Sequence, residues 1–235
     1  MRNLTRERRD VLPSGHFSRG VQALGVATTQ RSAADFLPPK HSLKALREAA
    51  AHCRGCDLYK YATQTVFGEG KARAGVMLVG EQPGDQEDKA GQPFVGPAGK
   101  LLHRAMTEAG LDASDAYVTN AVKHFKFVER GKRRIHATPK TIEIRACEPW
   151  LEAEIAAVRP KIVVALGATA SQALLDPKFR LTQHRGEVQT SATGLHVLAT
   201  VHPSSILRAR DEETRHAEYA AFVEDLRIVA GLLAA

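Results

Sequence analysis

Residues 75–85 read GVMLVGEQPGD, and this stretch decides the fold. Residues 75–80 form a short unbroken apolar run closed by glycine, which is how a strand buried on both faces is written. Glu81, Gln82, Pro83, Gly84 and Asp85 then change to turn chemistry. The turn is not a phosphate loop, because it lacks the Gly-Lys-Ser/Thr ending of a nucleotide-triphosphate site. A buried strand that breaks into a tight polar turn fits an open α/β sheet, in which ligands bind outside the carboxyl ends of the strands.

The same alternation repeats outward from this point. Residues 99–110 suit a helix, and 116–122 (AYVTNAV) a second strand. Thr138-Pro139 is expected to open a helix with proline in its first turn, running through Trp150 to about Val158. Residues 161–166 (KIVVAL) and 195–201 (LHVLATV) are further strands, with helices expected at 168–175 and 212–233. Upstream, Ser42 can cap a helix that runs to about His52, and Pro38-Pro39 reads as a stiff linker. The expected fold class is α/β: a three-layer α/β/α sandwich around a central four-stranded, mainly parallel sheet. Residues 41–235 make one domain, preceded by a flexible basic extension over residues 1–40.

Composition sets outer bounds. The chain has 235 residues, 43% hydrophobic and 25% charged, as for an ordinary globular protein. It contains no apolar run of about 18 residues, so no transmembrane helix is expected. The net charge of +7 suits a polyanionic partner, or simply a solvated basic surface. Three cysteines argue against a disulfide framework and fit a reducing cytosol, so a cytoplasmic protein is expected. A monomer is the default.

The residues that follow the strands carry the chemistry. Glu81 and Asp85 follow the first strand, Asn120 ends the second, and His202 and Ser204 follow the fourth. Any one of them alone reads as a turn residue or a helix cap. Together they would line one rim of the sheet. Residues 93–99 (PFVGPAG) form a rigid loop whose Phe94 is either core or a stacking surface for a flat base.

GEQPG, PFVGPAGKLL, YVTNAVK, LGATA and VHPSS, in that order over roughly residues 50–230, resemble the iron–sulfur uracil-DNA glycosylases of family 4. The resemblance implies that Phe94 stacks on uracil and that Asn120 reads its amide edge, a carboxamide offering both a donor and an acceptor. It implies that His202 donates to the O2 oxygen, where charge builds as the base leaves. It places the main chain around Gln82 and Gly84 at a pocket for an extruded base, with uracil-containing DNA, preferably single-stranded, as the partner.

Residues 131–136 (GKRRIH) read alone as a solvated basic loop, or as phosphate contacts by Lys132, Arg133 and Arg134. GEQPG together with a basic loop ending in histidine resembles the UdgX branch. There the resemblance implies that His136 attacks the sugar C1′ after uracil departs, giving a covalent protein–DNA adduct. Glu81 would orient and deprotonate His136, or polarise a water. Arg134 would hold the loop against a phosphate or a carboxylate. The alternative is a conventional family 4 enzyme that hydrolyses with turnover.

Cys53-x2-Cys56 alone could be a zinc half-site, a redox pair or neither. Cys147 adds a third thiol. Family 4 proteins place a cysteine after the Val-Lys of the second strand motif, where this chain has His124. The resemblance implies that Cys53, Cys56, His124 and Cys147 hold a [4Fe–4S] cluster. On ligand type alone tetrahedral zinc is equally open, and His52 is a rival fourth ligand.

Overall fold

A computed structural model describes residues 31–234. Most of the basic N-terminal segment, residues 1–30, lies outside the described residues. Strands β1 (Glu69–Gly70), β2 (Val76–Gly80), β3 (Ala116–Asn120), β6 (Ile162–Leu166), β7 (Val188–Thr190) and β8 (His196–Thr200) form one sheet in the order β1-β3-β2-β6-β8-β7. The four inner strands are mutually parallel, as their apolar runs require, and the edge strands β1 and β7 pair antiparallel. The sheet is therefore six-stranded rather than four-stranded. The two edge strands escape sequence reading because they are short and lack a buried face.

Alternate strand residues enter opposite cores. Val76, Leu78, Ile162, Val164 and Leu198 pack with α3 (Pro97–Glu108), α7 (Pro203–Leu207) and α8 (Glu212–Ala234). Met77, Val79, Val163, Ala165 and Val197 pack on the other face with α4 (Thr141–Val158) and α5 (Ala168–Leu174). This period of two, with both faces covered, is the three-layer sandwich. A third cluster joins α1 (Leu43–Ala50) to Trp150, Cys53 and Cys147. It also buries Ala33, so a 3-10 turn over Ala33–Phe36 packs on the fold where a linker was expected. No helix among the described residues is long and apolar enough to cross a membrane.

Two local readings change. Helix α4 starts at Thr141, not at Thr138-Pro139, because the Glu143 carboxylate accepts the Lys140 N–H at 2.6 Å and fixes the first turn there. Residues 131–136 are not a loop. β4 (Phe127–Arg130) and β5 (Arg133–His136) pair antiparallel around a turn at Gly131-Lys132, with Glu129 opposite Arg134 and Phe127 opposite His136. A run of like charges carries no apolar alternation, so its sequence gave no strand signal.

The chain leaves β2 for β3 on one side and returns through β6 on the other. The carboxyl ends of β2 and β6 thus form a topological switch point, where open α/β sheets bind ligands.

Candidate active site

A cleft of about 570 Å³ opens at this switch point, lined by Glu81, Gln82, Gly84, Phe94, Asn120, His136, Thr169, His202 and Ser204 among others. Its floor is Gly80. A Cβ added there would collide with Asn120 Oδ1, lie 2.8 Å from Phe94 Cζ and lie 3.5 Å from His202 Nε2. Three side chains from three elements therefore converge on one spot, and only glycine leaves it open.

Asn120 is buried, and its carboxamide makes no hydrogen bond to other described residues. Opening on the cleft with no side-chain partner among the described residues, this amide can offer a ligand both a donor and an acceptor. Phe94 adopts φ +56° and lies nearly parallel to the His202 ring, with centroids 6.2 Å apart. Gly99 permits that backbone, since a Cβ on it would overlap the Phe94 carbonyl. Glu87 ties the two loops of the cleft together, accepting the Gly84 N–H at 3.1 Å and the Gly96 N–H at 2.8 Å.

His202 Nδ1 accepts the Ser204 N–H at 3.1 Å, so the ring proton sits on Nε2, which faces the cleft. Ser204 Oγ lies 2.8 Å from the same Nδ1. Burial pushes the His202 imidazole down to about 4, opposed by the Glu81 charge. It is thus a neutral donor at pH 7. The unfolded imidazole takes up its proton near pH 6.5, and the folded one near 4. The unfolded state binds more protons across that window, so stability falls as pH drops through it, by about 3 kcal/mol from this group. In thermal unfolding between pH 7 and 4, the Tm of His202→Gln should fall less than that of the unsubstituted protein. Parallel declines would contradict this.

Glu81 reaches the cleft from the end of β2. His136 Nε2 lies 3.2 Å from Glu81 Oε1, and Thr169 Oγ1 donates to Oε2. Burial alone would raise the Glu81 carboxyl, but the His136 and Thr169 side chains beside it outweigh that and hold the group below its ordinary value. An ionised Glu81 thus faces His136 Nε2 as a charged acceptor. Thr169 is a site residue that sequence reading missed. Its only signal was its place two residues past Gly167, at the end of β6.

The hairpin that carries His136 is fixed by the GEQPG turn. Gln82 Oε1 accepts the Lys126 N–H at 2.9 Å, while its Nε2 donates to the carbonyls of Lys126 and Ala137, each at 3.1 Å. The Gln82 side chain thus grips both feet of the hairpin, and only its main chain is left to face a ligand. Arg134 meets carboxylates rather than phosphate. Its Nε donates to Asp85 Oδ1 at 2.6 Å and one terminal nitrogen to Asp88 Oδ2 at 2.7 Å, with the guanidinium over Phe127 at 5.0 Å. The Asp85 carboxylate also pairs with Lys89 and is directed to these cations, not into the cleft. Lys132 and Arg133 are exposed at the hairpin tip.

Behind Asn120 lies a fully buried ion pair that sequence reading also missed. Lys123 Nζ donates to Glu154, to Thr119 Oγ1 at 2.8 Å and to the Asn120 carbonyl at 2.6 Å. Glu154 further accepts from the Gly68 N–H at 3.0 Å and the Tyr117 hydroxyl at 2.8 Å. The signal was a glutamate on the same buried face of α4 as Trp150, Leu151 and Val158.

Cys53, Cys56 and Cys147 gather in the third core cluster. Trp150 Nε1 donates to Cys53 Sγ and the Lys123 N–H to Cys147 Sγ, both at 3.2 Å. His124 is buried, its Nε2 lies 2.9 Å from Thr65 Oγ1, and its Nδ1 has no partner. Among the described residues, no group of three or more His, Cys, Asp or Glu side chains stands at metal-ligating spacing. The donor chemistry nevertheless fits a metal centre: three thiols, N–H groups aimed at two sulfurs and an orphaned imidazole nitrogen. Burial pushes Cys147 up to about 12 and raises Cys56, so thiolates there would need a bound cation.

A doubly covered parallel sheet with a cleft of mixed polar and apolar lining at its switch point defines the class: an α/β protein with its candidate site at the strand carboxyl ends. The family described as the uracil DNA glycosylase superfamily matches residues 67–227. The Type-4 uracil-DNA glycosylase of Pyrobaculum aerophilum is 37% identical over 173 residues, covering 71% of this chain and 85% of that protein. That of Thermotoga maritima is 37% identical over 174 residues, covering 74% and 87%. The Type-5 uracil-DNA glycosylase of Pyrobaculum aerophilum is 30% identical over 181 residues, covering 70% and 76%. The chain belongs to the uracil-DNA glycosylase superfamily.

Proposed function

We propose that this protein excises uracil from DNA and ends the reaction by joining its own His136 to the sugar. The observation that carries the first half is the Asn120 carboxamide, without a partner among the described residues, beside His202 Nε2 and the Phe94 ring. The names of the relatives point the same way. Uracil would lie against Phe94, with its imide edge on Asn120 and its O2 on the His202 proton. As the glycosidic bond breaks, the electron pair passes to the base. The neutral His202 donor stabilises that charge without a proton having to move. Replacing His202 with leucine should lower the single-turnover rate constant for uracil release by about 10²–10³-fold. A loss below tenfold would remove His202 from this role.

The second half rests on the 3.2 Å approach of His136 Nε2 to Glu81 Oε1. Departure of uracil leaves an electrophilic sugar carbon. A held imidazole competes with water through proximity alone. Its lone pair would form the bond to C1′, and the proton on its other nitrogen would pass to Glu81. A second reading is supported by the Type-4 names of the relatives: Glu81 activates a water and the enzyme turns over.

Cys53, Cys56, Cys147 and His124 would hold a [4Fe–4S] cluster, or zinc with the same donors. Such a group would crosslink the segment before β1 to α4 and to the end of β3. Iron and sulfide analysis of purified protein distinguishes the two.

A further inference from the structure

The β4–β5 hairpin has two faces, and the contacts that fix it to the cleft wall use one. Residues opposite each other in an antiparallel pair share a face, and successive pairs alternate. Phe127, His136, Glu129 and Arg134 therefore form the inward face, engaged with Glu81, Asp85 and Asp88. Val128, Ile135, Arg130 and Arg133 form the outward face. Val128 and Ile135 lie directly opposite each other and are 49% and 37% exposed. Arg130 and Arg133 make the next pair out, and Lys132 is in the turn. None of these three cations has an ion-pair partner among the described residues.

A hairpin face turned to water is ordinarily polar throughout. This one is apolar next to the cleft and cationic beyond it, and Ile135 is itself a lining residue of the cleft. The apolar pair is thus continuous with the pocket, and the cations extend away from it. A nucleic-acid strand leading out of the cleft has the complementary order: a base face first, then phosphates.

We propose that the outward face of this hairpin is a platform for the DNA strand flanking the extruded uracil. Val128 and Ile135 cover the face of the neighbouring base. Arg130, Lys132 and Arg133 neutralise the phosphates beyond it. The inference rests on the uracil-excision reading and adds a subsite to it. The inward clamps by Gln82 and Arg134 keep the platform rigid, so no ordering cost is incurred on binding.

The test is single-turnover uracil release with protein in excess, read as the half-saturating protein concentration. The substrates are single-stranded oligonucleotides with uracil between ordinary bases, or with the 5′ or the 3′ neighbour replaced by a baseless tetrahydrofuran residue. For the unsubstituted protein, one of the two baseless substrates should raise that concentration about fivefold. Val128→Ser and Ile135→Ser should each raise it on the intact oligonucleotide and lose nothing further on that baseless one. Arg130→Gln and Arg133→Gln should each reduce the slope of log affinity against log salt by about 0.7. Equal behaviour of all three substrates, losses that simply add, or unchanged salt slopes would overturn the platform while uracil release stands. No release by the unsubstituted protein from the intact oligonucleotide would overturn the platform together with the reading beneath it.

Discussion

Replacing Glu154 with leucine is expected to cost about 3–5 kcal/mol of folding stability, the largest effect of any single substitution considered for this chain. Lys123 and Glu154 are both fully buried. Without Glu154, the Lys123 ammonium keeps only two neutral acceptors, Thr119 Oγ1 and the Asn120 carbonyl. The Gly68 N–H and the Tyr117 hydroxyl lose the acceptor that satisfies them, which adds a desolvation cost for each. Burial and the Glu154 charge push the Tyr117 hydroxyl up, so it remains a donor at any ordinary pH. Pairing the change with Lys123→Met should restore part of the loss, since an apolar pair of similar volume strands no charge. Denaturant midpoints at constant slope would measure both. A single-variant loss below about 1 kcal/mol would show that the pair is not the clamp described. Because Lys123 holds the Asn120 carbonyl, uracil release by the Glu154 variant should fall even where the protein remains folded.

The parts of this molecule legible in its sequence are those built from local pattern. The inner strands follow from their unbroken apolar runs, and the rim follows from the rule that strand ends face the ligand. Glu81, Asn120 and His202 stand at that rim. Gln82 and Asp85 illustrate the limit. Both belong to the motif at the end of β2, yet Gln82 turns its amide to the hairpin feet and Asp85 its carboxylate to Arg134. A motif shows that residues act together without showing which face the ligand. The hairpin was illegible because its pairing depends on tertiary contacts from Gln82 and Arg134, not on alternation within residues 127–136. The Lys123–Glu154 pair was illegible because its two members are far apart in sequence and each alone reads as a surface charge. The thiols were legible as a candidate ligand set, while the Nδ1 of His124, without a partner among the described residues, is visible only in the structure.

The second large effect concerns His136. His136→Ala should abolish covalent capture and leave uracil release possible. The substitution removes the imidazole that Glu81 holds at 3.2 Å, while Thr169 stays on the other carboxylate oxygen. The space left beside Glu81 is polar and open to solvent, so a water can occupy it and accept the role of nucleophile. Asn120, Phe94 and His202, to which the proposal assigns bond breaking, are untouched. The variant should therefore change from a one-use protein to one that turns over. Its release of several uracils per protein molecule, with no band shift on a denaturing gel, is the expected result. An adduct that survives the substitution would place the nucleophile elsewhere.

The central claim is that uracil excision and capture by His136 are one reaction at one site. Its most direct measurement uses the unsubstituted protein with a single-stranded oligonucleotide containing one uracil. Free uracil is quantified beside a denaturing gel of the same sample. The account predicts one uracil released per protein molecule and a matching fraction of DNA in a shifted band that resists heat and detergent. Many uracils released per protein molecule with no shifted band would contradict capture and support hydrolysis with turnover.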